Sequence, residues 1–285
     1  MANTLSAFNP TMMAGSIQDI LDKAHVGRSL CSFGLESSLT KGTTVQRPYI
    51  GNLVANDYVD ASGTTEQALA PTQETLVVNK EKEVDFYVSR ADLIQNKFST
   101  SAIYTKRAAY ALKDVMDTDI LAEIANASTA VTKADLVAGG TGDIVVTTSN
   151  VIEVFAVAYQ KLAELNVVDE GDLVAVVTPA IFSVIQQKAT GVGFNTADKV
   201  INNGKVGSWM NFEIVVSNNV YTETSTKHLV FAKKGCIDLV VQFEPYVAEQ
   251  VVKGRTGMNY LVTDLYGIKT FNTGKDQMVD VQTTF

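Results

Sequence analysis

The feature that most constrains this chain is a run of strict alternation from Glu74 to Val88. Leu76, Val78, Lys80, Lys82, Val84, Phe86 and Val88 fall on one face of an extended chain, and Thr75, Asn79, Glu81, Glu83 and Asp85 fall on the other. Side chains on a strand alternate with a period of two, so the pattern predicts one strand of about 15 residues, roughly 50 Å long. A usual strand has about five or six residues. The middle of this run, residues 79–83, is charged on both faces. A strand that is apolar at its ends and wet in its middle joins two places and does not sit inside one sheet.

The segments before this strand cannot fold alone. Ser16 is placed to cap a short helix with Ile17, Ile20, Leu21 and Ala24 on one face, ended by Gly27. A helix of that length is marginal by itself and has to dock. Residues 40–73 read as irregular β structure, because Gly42, Pro48, Gly51, Gly63 and Pro71 interrupt every apolar run. Excursions of that size within a compact domain are usually functional.

Beyond the strand, residues 100–127 predict the longest helix, with Thr100 as its cap and Tyr104, Ala108, Ala111, Leu112, Val115, Ile120 and Ile124 as its apolar stripe. It would be about 40 Å long. Residues 127–148, with Gly139, Gly140 and Gly142, read as a hinge or boundary. A compact α/β unit follows. Asn150 and Glu153 have capping-box spacing before a helix through Ile152, Phe155, Ala156, Tyr159, Leu162 and Ala163. Residues 173–177 predict a buried strand, and Pro179 suits the first turn of the next helix. Strands are expected at 213–217, 228–232, 237–242, 246–253 and 258–270, where Val, Tyr, Phe and Thr are abundant.

Composition narrows the function. With 46% hydrophobic and 19% charged residues the chain can bury a core, and its net charge of −8 argues against a surface built to neutralise phosphates. No basic, apolar leader and no stretch long enough to span a bilayer is expected. Groups able to titrate near neutrality or to hold a metal are few: His25, His228, Cys31 and Cys236. The two cysteines are far apart and match no metal or redox spacing, so both read as free, packed thiols. His228 opens an apolar strand and reads as a structural histidine. Residues 191–195 carry a glycine pair with no apolar strand just before it, and residues 139–142 lack the lysine of a phosphate loop. The reading is therefore no enzyme, with no catalytic, cofactor-binding or metal site.

Taken in order, the elements resemble the major capsid proteins of tailed bacteriophages, the Hong Kong 97-type fold, over essentially the whole chain. The resemblance also rests on residues. Gly204, Gly207, Trp209 and Phe212 lead into Ser217, Asn218 and Asn219, and Gln242 to Tyr246 is followed by Gly254, Arg255, Tyr266, Gly267 and Phe271. It implies an α+β fold with an N-terminal arm (1–38), an extended β loop (39–76), a peripheral domain with a long spine helix (77–145), an α/β axial domain (146–240) and a closing β segment (241–285). It further implies self-assembly as hexamers and pentamers into an icosahedral capsid enclosing double-stranded DNA, without sequence-specific binding and without a membrane. Scaffolding, portal and decoration proteins are the implied partners, with the virion capsid and, during assembly, the host cytoplasm as location. Some relatives cross-link through an extended-loop lysine, but residues 42–79 contain none. The alternatives are an encapsulin shell of the same fold and, more remotely, an enzyme built on residues 150–240.

The charges suggest where subunits meet. Lys97, Lys106, Arg107 and Lys113 lie at or before the middle of the predicted helix, and Asp114, Asp117, Asp119 and Glu123 fill its C-terminal half, so both oppose the helix dipole. Asp57, Asp60, Glu66 and Glu74 on the loop face a single basic residue, Arg47. The expected contact places these loop carboxylates over Lys106, Arg107 and Lys113 of a neighbour.

Overall fold

A computed structural model describes residues 23, 25–39, 41–57, 66–69, 71–95, 100–167, 172–191, 201–202 and 205–284. The helix expected around residues 17–24 lies outside them apart from Lys23, as do Asp60, Gly63, Lys97 and most of the 191–195 glycine loop.

In chain order the elements begin with β1 (Cys31–Ser32), β2 (Thr44–Tyr49), β3 (Thr72–Val77), β4 (Lys80–Val88), α1 (Arg90–Gln95) and the long α2 (Thr100–Ala122). Next come β5 (Thr129–Val131), α3 (Val151–Glu164), β6 (Leu173–Val177), α4 (Pro179–Gly191), β7 (Ile201–Asn202), β8 (Lys205–Val206) and β9 (Ser208–Trp209). The chain closes with β10 (Phe212–Val216), β11 (Thr222–Glu223), β12 (Thr226–Lys233), β13 (Ile237–Val251), β14 (Met258–Lys269), α5 (Asn272–Lys275) and β15 (Met278–Thr283).

Two principal sheets organise these elements. The larger runs β5-β15-β12-β6-β10-β9, with β11 paired to β12. Its central β6 is buried at every position, as its unbroken apolar run predicts. Phe155 of α3 packs edge-on against Phe231 at 4.9 Å, and Phe212 meets Phe231 at 5.1 Å, so helix and sheet share an aromatic centre. The smaller sheet runs β1-β13-β14-β4. Helix α2 serves both: Ala108 and Leu112 cover Val262 of β14, while Met116, Ile120, Leu121 and Ile124 enter the larger core.

Several expectations need correction. The predicted 15-residue strand is two strands: β3 pairs with β2, and β4 pairs with β14. The side-chain alternation continues across the break, but the hydrogen-bonding partner changes at Val78, whose N–H donates to the Thr43 carbonyl at 2.8 Å. Gly267 permits the crossing, because a Cβ there would lie 2.7 Å from the Val77 carbonyl oxygen and 2.9 Å from Val78 Cα. Residues 44–49 form a true strand despite Pro48, which an edge strand tolerates. Thr100 is the first helical residue and not a cap outside it; Tyr104 and Val115 are exposed, and Met116 completes the stripe instead.

The face of α3 is displaced from the expected one: Val151, Val154, Phe155, Ala158 and Leu162 are buried. No capping box forms there, since Asn150 Oδ1 accepts from the Thr147 N–H at 2.7 Å and Glu153 accepts from the Val137 N–H. Residues 237–242 and 246–253 merge into β13, interrupted by register irregularities at Gln242 and at Glu244 and Pro245. Within residues 127–148, read as a hinge or boundary, Gly139, Gly140 and Gly142 take positive φ, which glycine adopts without steric cost.

Candidate functional site

Of the titratable residues singled out in the sequence, Cys31 and Cys236 are brought near each other, since Cys31 pairs with Ile237, while the two histidines join neither them nor one another. His228 Nδ1 lies 2.8 Å from Asp280 Oδ2, both side chains are buried, and Tyr221 packs on the ring with centroids 5.1 Å apart. Burial pushes the Asp280 carboxyl above its ordinary range, against hydrogen bonds from His228 and Gln282 that favour ionisation. Among the described residues no cysteine, serine or threonine side chain hydrogen-bonds this pair. His25 is elsewhere, with its ring 4.8 Å from that of Tyr110. Cys31 and Cys236 are free, and burial raises both thiols, Cys236 to about 12, so neither is a poised nucleophile. Among the described residues no group of three or more His, Cys, Asp or Glu is arranged to hold a metal. No described helix is long and apolar enough to cross a membrane.

The dense polar construction lies along the second half of α2. Asp117, nearly buried, accepts from the backbone N–H groups of Val26 at 2.7 Å and Gly27 at 2.6 Å through Oδ1, and from Asn219 at 3.0 Å through Oδ2. Asn219 also donates to Asp114 at 2.7 Å and accepts from Lys23 at 2.9 Å. Burial disfavours ionised Asp114, but hydrogen bonds from Asn219 and Lys23 outweigh it and hold its carboxyl below the usual range. Asp119 accepts from the Tyr266 hydroxyl at 2.9 Å and pairs with Lys80 at 3.0 Å, and Glu123 accepts from the Thr270 hydroxyl at 3.0 Å.

The carboxylates that oppose the dipole thus find partners within the chain, on Lys23, Val26 and Gly27, on Lys80, on Asn219, and on Tyr266 and Thr270. Residues 25–30 are laid directly on α2. Gly27 makes this approach possible, since a Cβ there would stand 3.0 Å from Ile120 and 3.1 Å from Asp117 Oδ1. Asp117 was readable as a polar residue three before Ile120 and four before Leu121, inside the buried stripe. Asn219 appeared only as part of a Ser-Asn-Asn run.

The excursion between β2 and β3 is anchored at its base. Leu76 is fully buried with Val78, Val240 and Phe271, Arg47 pairs with Asp238 at 3.2 Å, and Glu74 accepts from the Asn272 N–H at 3.0 Å. Farther out, Ile50, Leu53, Val54 and Leu69 are each at least 66% exposed. The Gln67 side chain bonds both the N–H and the carbonyl of Val54, which clips the two limbs together as a ribbon.

Compared with known proteins, residues 73–275 match the family model described as phage capsid protein, which is more than half of the chain. The chain belongs to the phage capsid protein family. Solved structures agree in fold. A chain from Mycobacterium phage Che8 matches with a TM-score of 0.80 at 22% identity, covering 96% of each chain. The capsid of cyanophage P-SCSP1u matches with a TM-score of 0.75 at 16% identity, covering 100% of this chain and 95% of the other. The capsid of Myoviridae phage XM1 matches with a TM-score of 0.70 at 10% identity, over 99% of each chain. None of the curated proteins matches. The fold is the Hong Kong 97 type, and the chain is a shell subunit; neither the encapsulin nor the enzyme reading is favoured.

In this capsid protein the predicted contact residues lie on two elements. Asp57 and Glu66 are exposed on the ribbon, whereas Glu74 is engaged at its base. Lys106 and Lys113 are exposed on α2 and Arg107 is half-buried. Asp60 is outside the described residues. Sequence reasoning missed the four exposed apolar residues of the ribbon: Ile50, Leu53 and Val54 share i, i+3, i+4 spacing, but Pro48 and Gly51 interrupt the run and Leu69 stands apart.

Proposed function

We propose that the subunit assembles as hexamers and pentamers into an icosahedral shell around double-stranded DNA, and that it performs no catalysis. The observation that carries this reading is the ribbon itself. Fully burying a side chain such as Leu or Ile contributes about 1.5–3 kcal/mol, and this chain leaves Ile50, Leu53, Val54 and Leu69 in water while anchoring the ribbon firmly at its base. Modest contacts of that kind, repeated over a closed symmetric assembly, stabilise the whole.

Within this reading residues 1–38 are the arm, 39–76 the extended loop, 77–145 the peripheral domain with α2 as spine, 146–240 the axial domain and 241–285 the closing segment. Asp57, Asp60 and Glu66 of one subunit face Lys106, Arg107 and Lys113 of its neighbour; Glu74 is best left to its role at the base. Scaffolding, portal and decoration proteins complete the assembly, in the host cytoplasm first and in the virion afterwards. The test is electron microscopy of the purified full chain, which should form closed particles. Asp60→Lys with Glu66→Lys should impair assembly at low salt, and Lys106→Glu with Arg107→Glu should partly restore it. A soluble monomer under all conditions contradicts the shell reading. Charge swaps without effect contradict the electrostatic contact alone.

A further inference from the structure

Among the buried carboxylates of this chain, Asp264 stands apart. It lies on the α2-facing side of β14 between Val262 and Tyr266, and all three are fully buried. Asp117, Asp238 and Asp280 are buried too, but each has a hydrogen-bond or ion-pair partner. Neither carboxylate oxygen of Asp264 has one. An ionised carboxylate without partners is among the costliest groups to bury, and it escapes the cost by taking up a proton or by moving toward a partner.

The surroundings define both routes. On β4, Lys82 stands directly across the ladder from Asp264, and Lys80, two pairs along and opposite Tyr266, is already taken by Asp119 of α2 at 3.0 Å. Asp119 adds a like charge, and the Tyr266 hydroxyl points to Asp119 and not to Asp264. On β13 the register jumps from Phe243 opposite Leu265 to Tyr246 opposite Thr263, so the residues facing Asp264 are Glu244 and Pro245, one acidic and one without an N–H. Beyond that irregularity His25, Arg28 and Lys113 surround a small pocket whose wall includes Glu244 and Pro245, and Arg28 is paired with Glu244 at 3.3 Å. Among the described residues the cation standing directly across from Asp264 is Lys82, and it makes no hydrogen bond to the carboxylate.

We infer that Asp264 is a proton-operated lock on the seat of α2 against the four-stranded sheet, closed when its carboxyl carries a proton and released when it ionises toward Lys82. Burial, the largest influence, moves this carboxyl from 3.8 to about 6, against the attraction of Lys82, so the lock turns within a mildly acidic window. Ionisation would loosen the junction through which α2 joins the smaller sheet to the larger core, and this would couple the proton to the relative placement of the two halves of the subunit.

The test is hydrogen exchange on the full-length protein at pH 5 and pH 7.5, corrected for the intrinsic pH dependence of exchange. For a carboxyl at about 6 when closed and 3.8 when open, opening of residues 80–88, 108–119 and 258–266 should rise roughly tenfold between the two pH values. Asp264→Asn should abolish that rise and hold exchange at the closed level. Lys82→Gln removes the attracting cation, so it should move the midpoint of the rise upward. This second variant keeps the proposal testable should Asp264→Asn not fold. A native protein with no rise confined to these segments, an Asp264→Asn protein that keeps it, or a midpoint unmoved in Lys82→Gln would each overturn the lock.

Discussion

Residues 25–30 and residues 50–57 are both short irregular segments, and their surroundings are opposite. The first lies on α2, where Asp117 receives its backbone N–H groups, Gly27 closes to 3.0 Å from Ile120 and Leu30 is fully buried. The second stands clear, with Ile50, Leu53 and Val54 in water and the Gln67 clip holding Val54. Backbone without regular structure needs partners for its polar groups and cover for its apolar ones. The first segment obtains both inside its own chain, while the second has a polar partner at Val54 but no cover for its apolar side chains, which is what a segment completed by another subunit should look like.

The sharpest way to break this comparison is to remove the carboxylate that holds the first segment. Asp117→Ala leaves two backbone donors and the Asn219 amide without an acceptor, and should destabilise the unassembled subunit by about 3–5 kcal/mol in urea unfolding. A loss below 1 kcal/mol would show that residues 25–27 are placed by something else.

Asp264 supplies the opposite case, a buried carboxylate that costs stability. Its folded value is raised, so the stability it contributes is present below about pH 4 and is lost as the pH rises through about 6. Asp264→Asn should therefore leave stability at pH 4 nearly unchanged and raise it at pH 7 by up to about 3 kcal/mol. Chemical unfolding at the two pH values reads the difference, and equal effects at both would refute the sign.

A smaller effect is expected where the chain crosses β14. Gly267→Ala drives a methyl into the Val77 carbonyl and Val78 Cα, for a loss of about 1–3 kcal/mol and weaker anchoring of the β2–β3 hairpin. Proteolysis between residues 41 and 79 should accelerate in step. The smallest effect on the lone subunit comes from the ribbon: Ile50→Ser with Val54→Ser should change subunit stability by less than about 0.5 kcal/mol while preventing closed particles from forming.

These contrasts also separate what the sequence could reveal from what it could not. Helix α2, the buried β6 and the start of α4 at Pro179 were legible because local periodicity and local turn chemistry decide them. The division of residues 74–88 was not legible, because alternation reports which face a side chain takes and is blind to which strand lies alongside. The permission for that crossing sits at Gly267, nearly 190 positions away. The acids on α2 were seen and misjudged: their spacing against the dipole is unfavourable, but Lys23, Lys80, Asn219, Tyr266 and Thr270 arrive from distant segments to receive them. The burial of Asp264 within an otherwise apolar face, with Lys82 across the ladder, likewise needs the register of two strands. The ribbon was recognised as an excursion from its glycines and prolines, but the short i, i+3, i+4 run of Ile50, Leu53 and Val54 is broken by Gly51 and does not reveal exposed apolar side chains.

The central claim is that the ribbon's apolar residues are completed by a neighbouring subunit. It is tested most directly by placing a thiol at Leu53 and timing its maleimide labelling before and after assembly. Cys31 and Cys236 are largely buried with raised thiols, so the background should be low. Leu53→Cys should label quickly in the unassembled subunit and at least about tenfold more slowly in the closed shell, as expected for a side chain moved from water into a packed contact. Equal labelling in both states would mean that the ribbon stays in water, and would contradict the account.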